Sequence, residues 1–239
     1  MRHFRRQLIL FSVLAALGAA PVARAQDFPG KTITIVVPFS AGGGVDTVAR
    51  LLAEKLRGSL KQNVIVDNKA GGSGMIGALA VVKAAPDGHT LLLGSAGETA
   101  INTFVYKNKM QYQPASDLAP ITLVTRIPNV LVAANTFPVK NMEELVAYAK
   151  KNPGKLTYGS QGIASPGHFQ GAIFAGVTNA DMLHVPYKGG IPMIMDMVAQ
   201  RVDIGFNTWS ATTEFVRAGK LRYLAVTERE RRPEEPNVP

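Results

Sequence analysis

Cysteine is absent from all 239 residues. That excludes a disulfide framework, a thiolate nucleophile and cysteine-held metal, and leaves the fold to stand on its apolar core. Histidine is scarce, at four residues. His3, His89, His168 and His184 show no metal-ligand spacing with one another or with acids, so neither a metal nor a cofactor is expected. Aromatic residues make up only 7%, and no dense Lys/Arg stripe is interleaved with them, which argues against a nucleic-acid partner. No apolar run is long enough to span a bilayer; the longest clear one, Leu8–Ala20, is too short.

What is present is ordinary globular composition, 46% hydrophobic and 18% charged, with enough apolar material for a sizeable core and one or two domains. Residues 1–25 read as a secretory signal peptide: Arg2, Arg5 and Arg6, then the apolar stretch, then Ala23-Arg24-Ala25 as a small-residue cleavage site. Cleavage after Ala25 sends a free protein to the periplasm. No cysteine follows the site, so lipid attachment there is excluded. The segment carries four Arg and no acid, so the formal charge of +9 becomes +5 in the mature chain, 22 basic against 17 acidic residues. Such a surplus suits small anions without demanding them.

From Lys31 the chain alternates short β-branched runs with helical spacing. Thr32–Val37 reads as a buried strand, Leu51, Leu52, Leu56 and Leu60 as a helix stripe, and Val64–Val66 as a second strand. Gly74–Ala84 is helical by its Ile76, Leu79, Ala80 and Lys83, Pro86-Asp87-Gly88 turns, and Thr90–Leu93 is a third strand. Strands apolar on both faces imply helices on both sides of a mostly parallel sheet. After Arg126-Ile127-Pro128-Asn129 the pattern restarts. Asn141 with Glu144 caps a helix through Lys151, Leu156–Gly159 is a strand, and helices at 167–175, 191–199 and 212–218 alternate with strands at 182–185, 202–206 and 221–226. This predicts an α/β fold of two lobes joined near 126–129.

Two strand-loop-helix junctions carry the chemistry. The first is Phe39-Ser40-Ala41-Gly42-Gly43-Gly44-Val45-Asp46. Helix-start N–H groups have no intrahelical partner, the dipole adds positive charge, and glycines let the main chain approach a ligand. Neither nucleotide motif, G-x-x-x-x-G-K-[ST] or G-x-G-x-x-G, is met. Asp46 reads equally as a helix-start acid and as a ligand contact. The second junction, Gly159-Ser160-Gln161-Gly162-Ile163-Ala164-Ser165-Pro166-Gly167-His168, matches it in the other half. Each alone is a Gly/Ser-rich turn; in corresponding places they suit an anion held between lobes. Pro186-Tyr187-Lys188 offers a point charge that is either an anion partner or a solvated lysine. Gly94-Ser95-Ala96-Gly97 is a fourth loop that can line the same cleft. Phe206 and Trp209 suit core packing or a cleft wall.

No catalytic residue is assigned. Gly162–Gly167 spaces as G-x-x-S-x-G rather than a nucleophile elbow, although Ser165 and His168 leave an exported serine hydrolase as the rival reading. A ligand sensor for a membrane signalling partner is the other.

The runs PGKTITIVVPFSAGGGVDTVARLLAEKL, VIVDNKAGGSGMIGALAVVKAAPDGHTLL, YGSQGIASPGHFQGAIF, HVPYKGGIPMIMDMVAQRVDIGF and AGKLRYLAVTERERRPEEPNVP together resemble the substrate-binding proteins of tripartite tricarboxylate transporters, the Bug receptors. The resemblance covers nearly all of the mature chain. It implies a monomeric periplasmic binding protein, type II-like, whose two lobes have mixed, mostly parallel sheets flanked by helices and close a hinged cleft on a small carboxylate. It implies delivery to an ion-gradient-driven membrane transporter. The ligand residues it implies are Phe39, Ser40, Ala41, Gly42, Gly43 and Asp46 from one lobe, to which the reading of the fourth loop adds Ser95. From the other come Ser160, Gly162, Ser165, His168, Pro186, Tyr187 and Lys188.

Three departures from the family pattern stand out. His89 replaces a usual Tyr, expected as a surface change, and Asn68-Lys69-Ala70-Gly71-Gly72 replaces Asn-Arg-Pro-Gly. The ending at Pro236-Asn237-Val238-Pro239 predicts a truncated member: a first lobe over 26–126 lacking its C-terminal completion, a second over 127–226, and the start of a return segment over 227–239.

Overall fold

The computed structural model describes residues 28–239 apart from the side chain of Asn108; the expected signal peptide and its cleavage site lie outside the described residues. β1 (Ile33–Val37) is the central strand of the first sheet, with β2 (Val64–Asn68) and β3 (Thr90–Leu92) parallel to it on either side. Ile33, Ile35 and Val37 are buried with Ala49, Ala53 and Val64. α1 (Gly44–Leu60) therefore docks through small residues, with Leu52, Leu56 and Leu60 against the same core. Leu51, expected in the stripe, is 59% exposed. One residue is a 100° turn of the helix, and the seam at 49, 52, 53, 56 and 60 leaves position 51 outside it. α2 (Met75–Val82) behaves likewise: Gly77 and Ala78 are buried while Ile76 is exposed. A Cβ on Gly77 would lie 2.8 Å from Pro38 Cα, so the helix sits directly on the loop after β1.

Between the sheets run helical turns at Gly97–Ile101, Asn102–Val105, Lys107–Lys109 and Pro114–Asp117, none of which the hydrophobic periodicity predicts. An extended stretch follows in which Ile121 and Leu123 are exposed.

The second sheet has the order β6-β5-β7-β4-β8. Its strands are β4 (Asn129–Ala134), β5 (Leu156–Ser160), β6 (Met182–Pro186), β7 (Ile204–Thr208) and β8 (Leu221–Val226). β5 is parallel to β6 and β7, and β4 alone runs against its neighbours β7 and β8. β4 is buried at every residue because both faces are covered: Leu131 and Ala133 enter one core, Val130 and Val132 the other.

The helices are α3 (Met142–Lys151), α4 (Pro166–Thr178), α5 (Gly190–Val198) and α6 (Trp209–Arg217). α3 starts as expected: Asn141 Oδ1 accepts the Glu144 N–H at 2.8 Å, and Glu144 Oε2 accepts the Lys140 N–H at 2.7 Å. Phe206 and Trp209 both pack into core, Trp209 stacking on Tyr223 at 4.4 Å under the Arg232 guanidinium. Residues 227–239 lie against this sheet, where Val226 N–H donates to the Pro239 carbonyl at 2.7 Å and Val238 joins the core. His89, expected at the surface, has its side chain only 13% exposed, with Nδ1 3.2 Å from Asp87.

Candidate functional site

Loops at the strand ends of both lobes meet along one seam. The Ser40 N–H donates to the Lys188 carbonyl at 3.4 Å. In the first turn of α1, a Cβ on Gly44 would lie 2.6 Å from Thr208 Oγ1, so only a glycine lets the helix start and the second lobe come this close. Gly42 faces Ile191, Gly162 faces Ser73, and Gly97 faces the Ala164 carbonyl. Within the seam is a cavity of about 190 Å³. Phe39, Ser73, Gly162, Tyr187 and Lys188 line it, with Pro38, Gly71, Gly72, Gly74, Gln161, Ile163 and Pro186. One lysine and no acid stand in that wall.

Of the expected residues, Phe39, Gly162, Pro186, Tyr187 and Lys188 reach the cavity wall; the others do not. Ser40 lies beside it, and its Oγ is buried without a hydrogen-bond partner, as is Thr208 Oγ1 across the seam. Ala41 and Gly43 belong to the approach to α1, and Gly42 packs on the second lobe.

Asp46, read equally as a helix-start acid and as a ligand contact, is engaged by the chain's own donors. Its carboxylate is buried and already holds four bonds: the Gly42 N–H at 2.9 Å, Arg50 Nε at 2.9 Å and Nη2 at 3.0 Å, and Asn68 Nδ2 at 2.9 Å. Burial pushes its pKa up, but the bonds from Arg50, Gly42 and Asn68 together outweigh this and hold it below the ordinary carboxylate value. The anion that satisfies the glycine loop from behind is the chain's own. Asn68 also donates to the Phe39 carbonyl at 3.1 Å, so this network fixes the residue that faces the cavity.

In the second junction the polar side chains again work from behind the wall. Ser160 is buried, its Oγ 2.7 Å from His184 Nε2 and bonded to the Gly162 carbonyl at 3.0 Å. Ser165 Oγ accepts the His168 N–H at 3.3 Å and is the N-cap of α4. His168 Nδ1 accepts the Ala164 N–H at 3.1 Å, so its lone pair there is spent on the main chain. A Ser165-to-His168 nucleophile and base are therefore not assembled, which removes the geometric support for the hydrolase reading. The two imidazoles stack at 4.2 Å; burial lowers the pKa of His168, and burial with the neighbouring His168 lowers His184 to about 4. Ser95, expected in the cleft, is instead bound to Glu98 through both its N–H and its hydroxyl.

The sequence reading missed Gly71–Gly74 and Gln161 as cavity residues. The signal was available for the first: Gly-Gly-Ser-Gly follows β2 after two residues, Lys69 and Ala70, much as the glycine loop follows β1. Gln161 had none, because its side chain is placed by a strand 45 residues away, where Nε2 donates to the Phe206 carbonyl at 2.8 Å.

The chain is similar to known proteins in sequence and in fold. Residues 48–239 match the model of the tripartite tricarboxylate transporter family receptor. A protein from the tcbD-tcbE intergenic region of Pseudomonas sp. (strain P51) is 38% identical over 236 residues, covering 98% of this chain and 70% of that one. An R. palustris structure with adipate superimposes with a TM-score of 0.86 at 37% identity, covering 89% of this chain and 71% of that one. MatC from Rhodopseudomonas palustris with bound malate gives 0.82 at 32% identity, covering 89% and 72%. The two-lobed α/β architecture is thus that of periplasmic binding proteins, and the chain belongs to the tripartite tricarboxylate transporter receptor family.

Proposed function

We propose that this protein is exported to the periplasm after cleavage at Ala25 and captures a small carboxylate between its lobes for delivery to an ion-gradient-driven membrane transporter. The observation that carries this reading is the charge of the cavity wall: Lys188 is its only formally charged residue, and the rest is glycine-rich main chain, apolar rings and neutral polar groups. A carboxylate there meets a cation and main-chain N–H groups without facing an acid. The unpartnered Ser40 and Thr208 hydroxyls add hydrogen-bonding capacity at the seam. Adipate and malate in the related structures support a dicarboxylate as the ligand class.

The residues proposed to face the ligand are Phe39, Ser40, Ser73, Gly162, Pro186, Tyr187 and Lys188. Asp46, Ser95, Ser160, Ser165 and His168 hold the loops that present them. Lobe closure removes water, which strengthens each bond to the anion, and the ligand shifts an open and closed equilibrium. The test is thermal unfolding of the mature chain against mono-, di- and tricarboxylates, amino acids and aromatic acids. A ligand at about 100 times its Kd adds about 2.7 kcal/mol. Selective stabilisation by dicarboxylates is expected; with organic cations and neutral amides added to the panel, stabilisation by those alone would overturn the reading.

A further inference from the structure

The Gly97–Ile101 turn carries an acid that the cavity does not use. Glu98 is fully buried. Its Oε1 accepts the Ser95 N–H and its Oε2 the Ser95 hydroxyl at 2.9 Å. The carboxyl is wedged between two glycines: a Cβ on Gly74 would lie 2.8 Å from Oε2, and one on Gly94 would lie 2.6 Å from Oε1. The main chain of the turn is tied down by Tyr112, whose hydroxyl donates to the Glu98 carbonyl at 2.6 Å. Nearby Asn102 Nδ2 donates to the Ser73 carbonyl at 3.0 Å, and Ser73 Oγ is 2.7 Å from the Tyr106 hydroxyl. Glu98 thus sits where two pieces of the first lobe's seam are joined: Ser73–Gly74, in the cavity wall and facing Gly162, and Ser95–Gly97, facing the Ala164 carbonyl.

We propose that Glu98 is a positioning residue of the cleft, a carboxyl that holds the Ser95 turn by two bonds and seats it against Gly74, and that this seating is coupled to the uptake of one proton. The coupling to ligand rests on the carboxylate-receptor reading; the fastening does not. Around Glu98 the titratable groups on the packed elements are Tyr112, Tyr106 and Asp117. Asp117 is exposed and engaged with the Gln113 N–H and the Ser116 hydroxyl. Lys107 and Lys109, on the adjoining turn, are exposed, and among the described residues no Lys, Arg or His bonds to the carboxyl.

An ionised carboxylate in that place is desolvated without a counter-charge, which favours the neutral acid. Burial accordingly pushes Glu98 up to about 7. The sign follows from an acid whose pKa is raised where the carboxyl is seated between Gly74 and Gly94: the seated form binds the proton more tightly than a form with the carboxyl in water, so seating is favoured at low pH. That advantage is lost as pH rises from the ordinary glutamate range through about 7.

Hydrogen exchange followed by mass spectrometry on the whole mature chain, at about pH 6 and about pH 8 and corrected for intrinsic rates, tests this in the wild type, Glu98→Gln and Glu98→Ala. Protection over 71–74 and 94–98 is expected to fall roughly tenfold in the wild type between the two conditions. It should be independent of pH in Glu98→Gln, which keeps the shape without the titration, and low throughout in Glu98→Ala. A parallel fall in Glu98→Gln, or none in the wild type, overturns the proposal. Adipate titrations under the same conditions should show roughly tenfold weaker binding at the higher pH in the wild type only. Adipate binding that ignores pH in the wild type overturns the coupling. Failure of adipate to bind at either pH, with the exchange result intact, counts against the dicarboxylate reading and leaves the fastening role of Glu98 standing.

Discussion

Replacing Asp46 tests whether the glycine loop is held from behind. Four bonds converge on this buried carboxylate, from Gly42, Asn68 and twice from Arg50. Asp46→Ala strands the Gly42 N–H, at about 1–3 kcal/mol for an unsatisfied group. Asn68 loses one partner but keeps the Phe39 carbonyl. The Arg50 side chain is 56% exposed, so its guanidinium returns to water and the ion pair itself is worth no more than about 1 kcal/mol. The total is about 1–4 kcal/mol, a large share of the roughly 5–15 kcal/mol that holds a protein folded. Asp46→Asn keeps one acceptor and should cost about half of that. Arg50→Ala should cost less than about 1 kcal/mol.

Urea unfolding at neutral pH, with an unchanged m-value, reads these differences. The Asp46 contribution is fully present above the unfolded carboxylate pKa of about 3.9, because the native pKa is depressed, and it is lost as pH falls through the lower native value. Asp46→Asn should remove that part of the acid sensitivity. A cost below about 0.5 kcal/mol for Asp46→Ala, the range of ordinary surface changes, or an equal cost for Arg50→Ala, would refute the reasoning.

Gly44→Ala should lower stability and weaken carboxylate binding together, because the added methyl would lie 2.6 Å from Thr208 Oγ1 and force the helix start and the second lobe apart; thermal unfolding and calorimetric titration read the two effects. Lys188→Ala should leave stability within about 0.5 kcal/mol, since the side chain is exposed, and lower affinity for dicarboxylates about tenfold, a loss of about 1.4 kcal/mol, measured by fluorescence or calorimetric titration. Ser165→Ala should cost about 1 kcal/mol of stability as a lost N-cap, read by urea unfolding; a turnover in the wild type that this variant abolishes would restore the hydrolase reading.

Much of the fold was legible because its signals are local. Apolar β-branched runs separated by helical spacing marked seven of the eight strands in order, β4 having been read only as an apolar run, and Asn141 with Glu144 marked a helix start that the side chains then make. Turns without apolar periodicity, such as Gly97–Ile101, left no such mark. The β1 and β5 loops were legible as paired glycine junctions because a strand, small residues and a helix must follow one another for a main chain to approach a ligand there.

Which atoms those loops leave free was decided elsewhere. A carboxylate accepts from whatever donors folding brings to it: Asp46 is occupied by Asn68, 22 residues away, and so is structural. Ser95, read as a cleft residue, spends its donors on Glu98, only three residues on, because Gly74 and Gly94 leave that carboxyl room to fold inward. The antiparallel insertion of β4 between β7 and β8 also has no local signature, since pairing direction depends on segments 70 to 97 positions apart meeting at the same sheet. Sequence alone determined the elements and the chemical type of the site, because hydrogen-bonding capacity and periodicity belong to neighbouring residues. Tertiary structure decided which groups face the cavity, because each polar group is satisfied by the donors packed around it, and those come from distant parts of the chain.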